Sequence, residues 1–274
     1  MHPKNNLTKI QSSLNKEKVI AMIAPSFASE YEYPKIISQL RALGFDKIVE
    51  LTFSAKIINK EYHNQLKSTK KLLISSVCPG TLETIISQYP QYSKYLIRVD
   101  SPMIAMGKIC KKYYPKHKTC FISPCHFKKN EAEKSKYIDY TIDYQQLNTI
   151  LPKKFKRSKQ SFDLFYNDYT KVYPITGGLS KTAHLKGIIH KDETIILDGI
   201  NSLKNYFKST NKKIKFIDTT FCKGGCIGGP CLTEKNLPKK KKKLMHYLEI
   251  AKREKIPRKH KGLMFEAKGL KFNF

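Results

Sequence analysis

Cys222 and Cys226 stand four residues apart in Phe221-Cys222-Lys223-Gly224-Gly225-Cys226-Ile227-Gly228-Gly229-Pro230-Cys231. Glycine at that density implies a backbone that turns tightly or comes close to a bound group. Two more cysteines occupy loops of similar character, Ser75-Ser76-Val77-Cys78-Pro79-Gly80 and Ile122-Ser123-Pro124-Cys125-His126-Phe127-Lys128. Together Cys78, Cys125, Cys222 and Cys226 offer four thiolates, which by count suit zinc and a 4Fe-4S cluster equally. Spacing separates the two. Structural zinc sites use two local pairs with roughly two to four residues between partners, whereas here one pair is local and two ligands arrive singly from distant loops. A cluster held between two lobes fits better.

The remaining cysteines read differently. Cys110 follows Met103 and Met106 at helical spacing and Cys120 sits inside a strand, so both read as buried apolar residues. Cys231 is open between a spare ligand, a redox-sensitive thiol and a packed side chain, with packing favoured. His126 reads as an exposed imidazole beside Cys125. Gly177-Gly178 lacks a following Gly-Lys-Ser/Thr and reads as a turn near the site, not a phosphate loop.

Positioning such loops requires a sheet. The apolar runs Lys18–Ala24, Asp46–Leu51, Leu72–Ile74, Thr119–Ile122, Tyr140–Ile142, Thr194–Leu197 and Ile214–Ile217 predict strands. Helices are expected over Leu7–Lys16, from Pro34 to a stop at Gly44, over Asn59–Ser68 and Met103–Tyr113, and from Tyr144. Alternation at this spacing predicts an α/β fold, two lobes with mainly parallel sheets flanked by helices, and ligands beyond the carboxyl ends of the strands, between the lobes. The expected division is an N-terminal helix over 1–17, lobes over about 18–100 and 101–232, and a basic tail over 233–274. That tail is read as one helix and then a weakly ordered end, and 152–161 as a basic irregular stretch.

At 274 residues and 40% hydrophobic, the chain can bury a core without staples. Seven cysteines, an odd number, with no signal peptide and no run of membrane-spanning length, argue for a reducing cytoplasm and against a disulfide framework. Lys and Arg number 52 against 22 Asp and Glu, a net charge of +30. That charge invites a nucleic-acid partner. However, it is spread along the chain amid abundant Ile, Asn and Tyr, as genomic compositional bias produces, and no RNA-binding aromatic motif accompanies it. Nucleic acid is not expected; docking of an acidic electron carrier is. Lys239–Lys243 reads as the solvated face of a helix start.

With those residues in place, the chain resembles the C-terminal catalytic domain of iron-only hydrogenases, in particular its divergent, sensory-like branch. The family's Thr-Ser-Cys-Cys-Pro-Gly is similar to Ser75–Gly80, its Pro-Cys-x-x-Lys-x-x-Glu to Pro124–Lys128 continuing to Glu131, and its Cys-x-Gly-Gly-Cys to Cys222–Cys226. Ile23–Phe27 and Tyr173–Leu179 add to the likeness, which covers roughly 18–232. The resemblance implies that Cys78, Cys125, Cys222 and Cys226 ligate a 4Fe-4S cluster and that Cys226 also bridges to a di-iron unit, the two forming the H-cluster. Lys128 would then face a cyanide of that unit. Implied partners are a ferredoxin-like electron carrier or a separate ferredoxin-domain protein, and maturation proteins.

Departures from the pattern matter as much. Val77 stands where the family has a proton-passing cysteine, and a hydrocarbon carries no proton. Glu61 is followed by Tyr62 and Gln65 where relay glutamates would align, and Ser123 and Thr220 replace shielding methionines. The readings are therefore a ferredoxin-type hydrogenase with a weakened proton relay, a slow hydrogen or redox sensor with the same site, or a cluster-only iron-sulfur assembly factor similar to hydrogenase-like proteins.

Overall fold

A computed structural model describes residues 4–14, 16–69, 71–157, 161–164, 169–254 and 265–273. The chain begins with α1 (Lys4–Leu14), after which β1 (Val19–Ile23) runs through the centre of the larger sheet. Its five residues are all buried, because both faces of a parallel strand are covered. Pro25 ends it, and α2 (Lys35–Ala42) leads to β2 (Lys47–Glu50). Gly44, at φ +108°, makes the turn between them that a side chain would resist.

The chain continues with α3 (Thr52–Ser68), β3 (Leu73–Ile74), α4 (Pro79–Gln88), α5 (Pro102–Tyr113), β4 (Lys118–Ser123), α6 (His126–Glu133), β5 (Tyr140–Asp143) and α7 (Tyr144–Ile150). Then follow α8 (Gly178–Thr182), β6 (Thr194–Asp198), α9 (Ile200–Tyr206), β7 (Phe216–Thr220) and α10 (Leu237–Lys252). The expected helix at Asn59 in fact begins at Thr52, and the last strand lies two residues beyond its expected start. The expected helix over Leu7–Lys16 starts earlier and ends at Leu14, with Asn15 outside the described residues.

Two parallel sheets result, ordered β2-β1-β4-β5 and β3-β7-β6. Ala21 lies between Ile48 and Cys120 in the first, and Ile217 between Ile74 and Ile195 in the second. The α/β class and parallel sheets stand as expected. The division of the lobes at about residue 100 does not. β3, from the first expected lobe, pairs with β7, while β4 and β5, from the second, complete the sheet of β1. Strand propensity and spacing do not specify which strand neighbours which, and here the chain crosses between the sheets more than once.

The C-terminal segment also departs from expectation. α10 is not a tail: Leu244, Tyr247, Leu248 and Ala251 recur at one face and join the core of the first sheet with Val19, Ala21 and Phe27. The Phe27 and Tyr247 rings meet edge-on with centroids 4.9 Å apart. Lys240 is buried on this helix while Lys239 and Lys241–Lys243 are exposed. Further on, Phe272 is buried in the core on the other face of that sheet, and its carbonyl accepts from the Asp100 amide at 2.8 Å. The expected irregular stretch at 152–161 and the basic end lie partly outside the described residues.

Candidate metal centre

Three loops leave the carboxyl ends of strands from both sheets. β3 delivers Cys78, the residue before α4; β4 delivers Cys125, the residue before α6; β7 delivers Cys222 and Cys226. They meet at one contact. A Cβ on Gly80 would stand 2.8 Å from the Phe127 ring and 2.9 Å from the Phe221 ring, so only glycine lets the three loops close together. Those two rings lie 4.7 Å apart. The Phe221 amide donates to Cys78 Sγ at 3.4 Å, joining the first and third loops directly.

Each loop is locally braced. Ser123 Oγ donates to the Cys125 carbonyl at 2.9 Å and accepts from its amide at 3.0 Å, while Thr220 Oγ1 donates to the Cys222 carbonyl at 3.2 Å. The two residues read as replaced methionines thus fold the turns that present two of the thiols. Asp198, at the end of β6, accepts from the Gly224 amide at 2.6 Å and from Thr176 Oγ1 at 2.5 Å. The Cys226 amide donates to the Pro174 carbonyl at 2.7 Å. Gly225 has φ +74°, and a Cβ there would lie 2.6 Å from that same carbonyl oxygen.

Cys78, Cys125, Cys222 and Cys226 line one mainly apolar cavity with Pro25, Val77, Lys128, Tyr173, Asp218 and Thr220 among its other walls. Cys226 keeps accessible surface although protein surrounds it, because it borders this cavity. Burial pushes the Cys222 thiol up to about 12 and raises Cys125 and Cys226, and the neighbouring thiols add to each. Protons on these sulfurs are displaced when a cation compensates the crowded charge, which is the chemistry of a metal or cluster site. Cys110, Cys120 and Cys231 are by contrast fully buried.

Lys128 Nζ donates to the Val77 carbonyl at 3.3 Å and pairs with Glu131 at 2.5 Å. Glu61 and Gln65 are partly exposed on α3. Tyr62 is buried and serves the Cys78 loop: its hydroxyl accepts from the Ser76 amide at 2.7 Å. Two groups escape a reading of the sequence. Asp218 is buried, lines the cavity and has its pKa raised by burial. Tyr173 presents a buried hydroxyl that, like Thr219 Oγ1, has no hydrogen-bond partner among the described residues. A carboxylate within the run Ile214-Lys215-Phe216-Ile217-Asp218 was the available signal. Orphaned polar atoms and four thiols around one space fit a cluster with polar ligands of its own.

Comparison with known proteins identifies the family. The sequence model of the iron only hydrogenase large subunit, C-terminal domain, matches residues 17–230. The chain belongs to that family. It is 25% identical to iron hydrogenase 1 of Clostridium pasteurianum over 312 aligned positions, 86% of this chain and 54% of that protein. It therefore spans about half the length of that relative. Among solved structures, an [FeFe]-hydrogenase studied for oxygen inactivation of its H cluster superposes with a TM-score of 0.67 at 15% identity, covering 87% of this chain and 88% of that one. A HydA structure that addresses stepwise H-cluster assembly gives a TM-score of 0.65 at 17% identity, with the same coverage. At these identities the likeness supports the fold. Among the described residues, no helix is long and apolar enough to cross a membrane.

Proposed function

We propose that Cys78, Cys125, Cys222 and Cys226 hold one 4Fe-4S cluster, that Cys226 and Lys128 would also hold a di-iron unit, and that the protein activates hydrogen slowly, as a weak hydrogenase or a sensor. The observation that carries this reading is the convergence of four thiols from three loops on one apolar cavity. The bound di-iron unit would supply the splitting of dihydrogen. The chain's own residues would ligate it, exclude water through Pro25, Val77 and Phe121, and move the proton.

Val77 offers no proton at its position. Asp218 is the candidate donor: it is buried on the cavity wall, and that burial raises its pKa and so favours the neutral acid form. Its Oδ2 accepts from the Ser180 amide at 2.9 Å on α8, and the Ser180 hydroxyl is itself buried without a partner among the described residues. Tyr173, on the same cavity, offers an unpaired hydroxyl beside it. Electrons would come from a ferredoxin-like carrier or a separate ferredoxin-domain protein, the di-iron unit from maturation proteins, and the reducing cytoplasm suits free thiols.

The test is anaerobic reconstitution. Wild type should bind four irons and four sulfides, and serine at any one of the four cysteines should lower iron content and alter the cluster spectrum. Unchanged iron and sulfide in all four variants would refute the ligand set. The altered proton side also favours a second reading, the cluster-only assembly factor. Cyanide and carbonyl infrared bands after maturation would exclude it, and their absence would establish it in place of the first.

A further inference from the structure

Cys231 is not used by the proposed cluster, yet it is fully buried and faces His126: its Sγ lies 3.6 Å from Nε2 and 3.7 Å from Nδ1. A carboxylate oxygen of Asp143 completes a group of three ligand atoms that all lie within 4.8 Å of one another. We propose that Cys231, His126 and Asp143 form a second metal site, for a borderline-soft divalent cation of the zinc type, beside the cluster cavity.

Ligand spacing carries the argument. With Zn–S near ~2.3 Å and Zn–N near ~2.0 Å, tetrahedral geometry separates sulfur from nitrogen by about 3.5 Å. Cys231 Sγ is already 3.6 Å from Nε2 and 3.7 Å from Nδ1, and because it faces the ring between the two nitrogens, the exposed His126 imidazole must turn to aim one of them at the ion. Thiolate, imidazole and carboxylate together suit zinc better than magnesium or calcium, which take oxygen ligands. His126 is exposed, so a fourth position stays open to water.

The three residues come from different parts of the fold. Cys231 ends the glycine-rich loop after β7, His126 opens α6 after β4, and Asp143 closes β5. The loop is also tied there by the Cys231 amide, which donates to the Pro124 carbonyl at 3.2 Å. A cation would thus clip the second sheet's loop to the first sheet's edge, immediately behind Cys125. One residue competes. Lys129 Nζ pairs with Asp143 Oδ2 at 2.5 Å, while Asp143 Oδ1 accepts from the Gln146 amide at 2.8 Å. A divalent ion must displace the ammonium from one oxygen and leave the helix cap on the other.

The experiment uses protein already loaded with its iron-sulfur cluster, which occupies the four cavity thiols. Zinc(II) is added, excess is removed, and zinc and iron are counted together with the zinc X-ray absorption spectrum. One zinc should remain, with one sulfur and otherwise nitrogen or oxygen neighbours. Cys231→Ser and His126→Ala should each weaken zinc binding tenfold or more with iron unchanged, and Lys129→Met should tighten it. No retained zinc, or zinc retained equally in both ligand variants, overturns the proposal. So does loss of iron in Cys231→Ser, which would assign the thiol to the cluster. A zinc surrounded by four sulfurs would place the ion in the cavity; it overturns this site, and the iron count then separately judges the cluster assignment.

Discussion

The cavity has two walls built on different chemistry. On one, Cys78, Cys125, Cys222 and Cys226 come from loops with hydroxyl braces, a glycine contact and the Asp198 anchor. On the other, Val77, Tyr173 and Asp218 combine a hydrocarbon, an unpaired hydroxyl and a buried acid. The first wall is well braced: hydrogen bonds hold each loop that carries the sulfurs. The second is under-satisfied, with buried polar atoms that cost stability unless they serve a ligand or a proton. On the proposed reading, the chain would keep the means to hold iron and sulfur while changing the means to supply protons.

The largest expected effect tests the second wall. In matured protein, Asp218→Asn should slow hydrogen–deuterium exchange and hydrogen evolution by about 10²- to 10⁴-fold, the usual worth of a positioned acid or base. Iron content and cyanide and carbonyl infrared bands should stay as in wild type. Equal rates with intact bands would remove Asp218 from proton supply and leave the comparison resting on Val77 alone.

Next in size is a strike at the first wall. Gly225→Ala places a Cβ where φ is +74° and the Pro174 carbonyl oxygen is 2.6 Å away. Left-handed backbone alone costs about 1–2 kcal/mol for a residue with a side chain, and the clash adds to it. Reconstituted iron should fall several-fold while far-ultraviolet dichroism stays unchanged. Full iron loading would show that this loop is less constrained than its contacts suggest.

Val77→Cys should raise hydrogen evolution from a strong chemical reductant by less than about tenfold, below the full worth of a positioned acid. The reason is structural: Tyr62, behind that position, has its hydroxyl committed to Ser76. An increase of a hundredfold or more would mean that Val77 is the sole block and that Asp218 contributes little.

How much of this was legible beforehand differs between the walls in the same way. Thiols announce themselves: cysteine beside proline and glycine, at the end of an apolar run, located all three loops. The sheets' strand order was not legible, since β3 and β4 carry no local mark of belonging to different sheets. Ser123 and Thr220 could be seen only as missing methionines, because a hydroxyl folding back two residues is a matter of turn geometry. Asp218 was hidden by its setting in an apolar strand, and Cys231 needed the fold to bring it to His126. α10 was legible as a helix, but its run of lysines hid that its other face packs into the core.

The smallest effect is on stability, and it follows from the sign of one shift. Burial raises the Asp218 pKa above its unfolded value, and among the groups around it Lys181 and the Ser180 amide and hydroxyl oppose the rise, while Tyr62 and Tyr173 on neighbouring elements share the charge's field. A group that binds its proton more tightly when folded gives its full stability below the unfolded value, near ~3.9 for an aspartate, and that stability is lost as pH rises through the folded value. Asparagine is neutral at every pH and its carbonyl can still accept from Ser180. Cluster-free Asp218→Asn should therefore melt a few degrees above wild type at pH 8, at about 2–4 °C per kcal/mol for a chain of this size, and the gap should close toward pH 4. The same substitution that slows proton supply would then stabilise the fold, as expected if the second wall carries a buried acid for use rather than for packing. A gap that stays constant with pH would mean that folding does not shift the Asp218 pKa and would leave its role to packing.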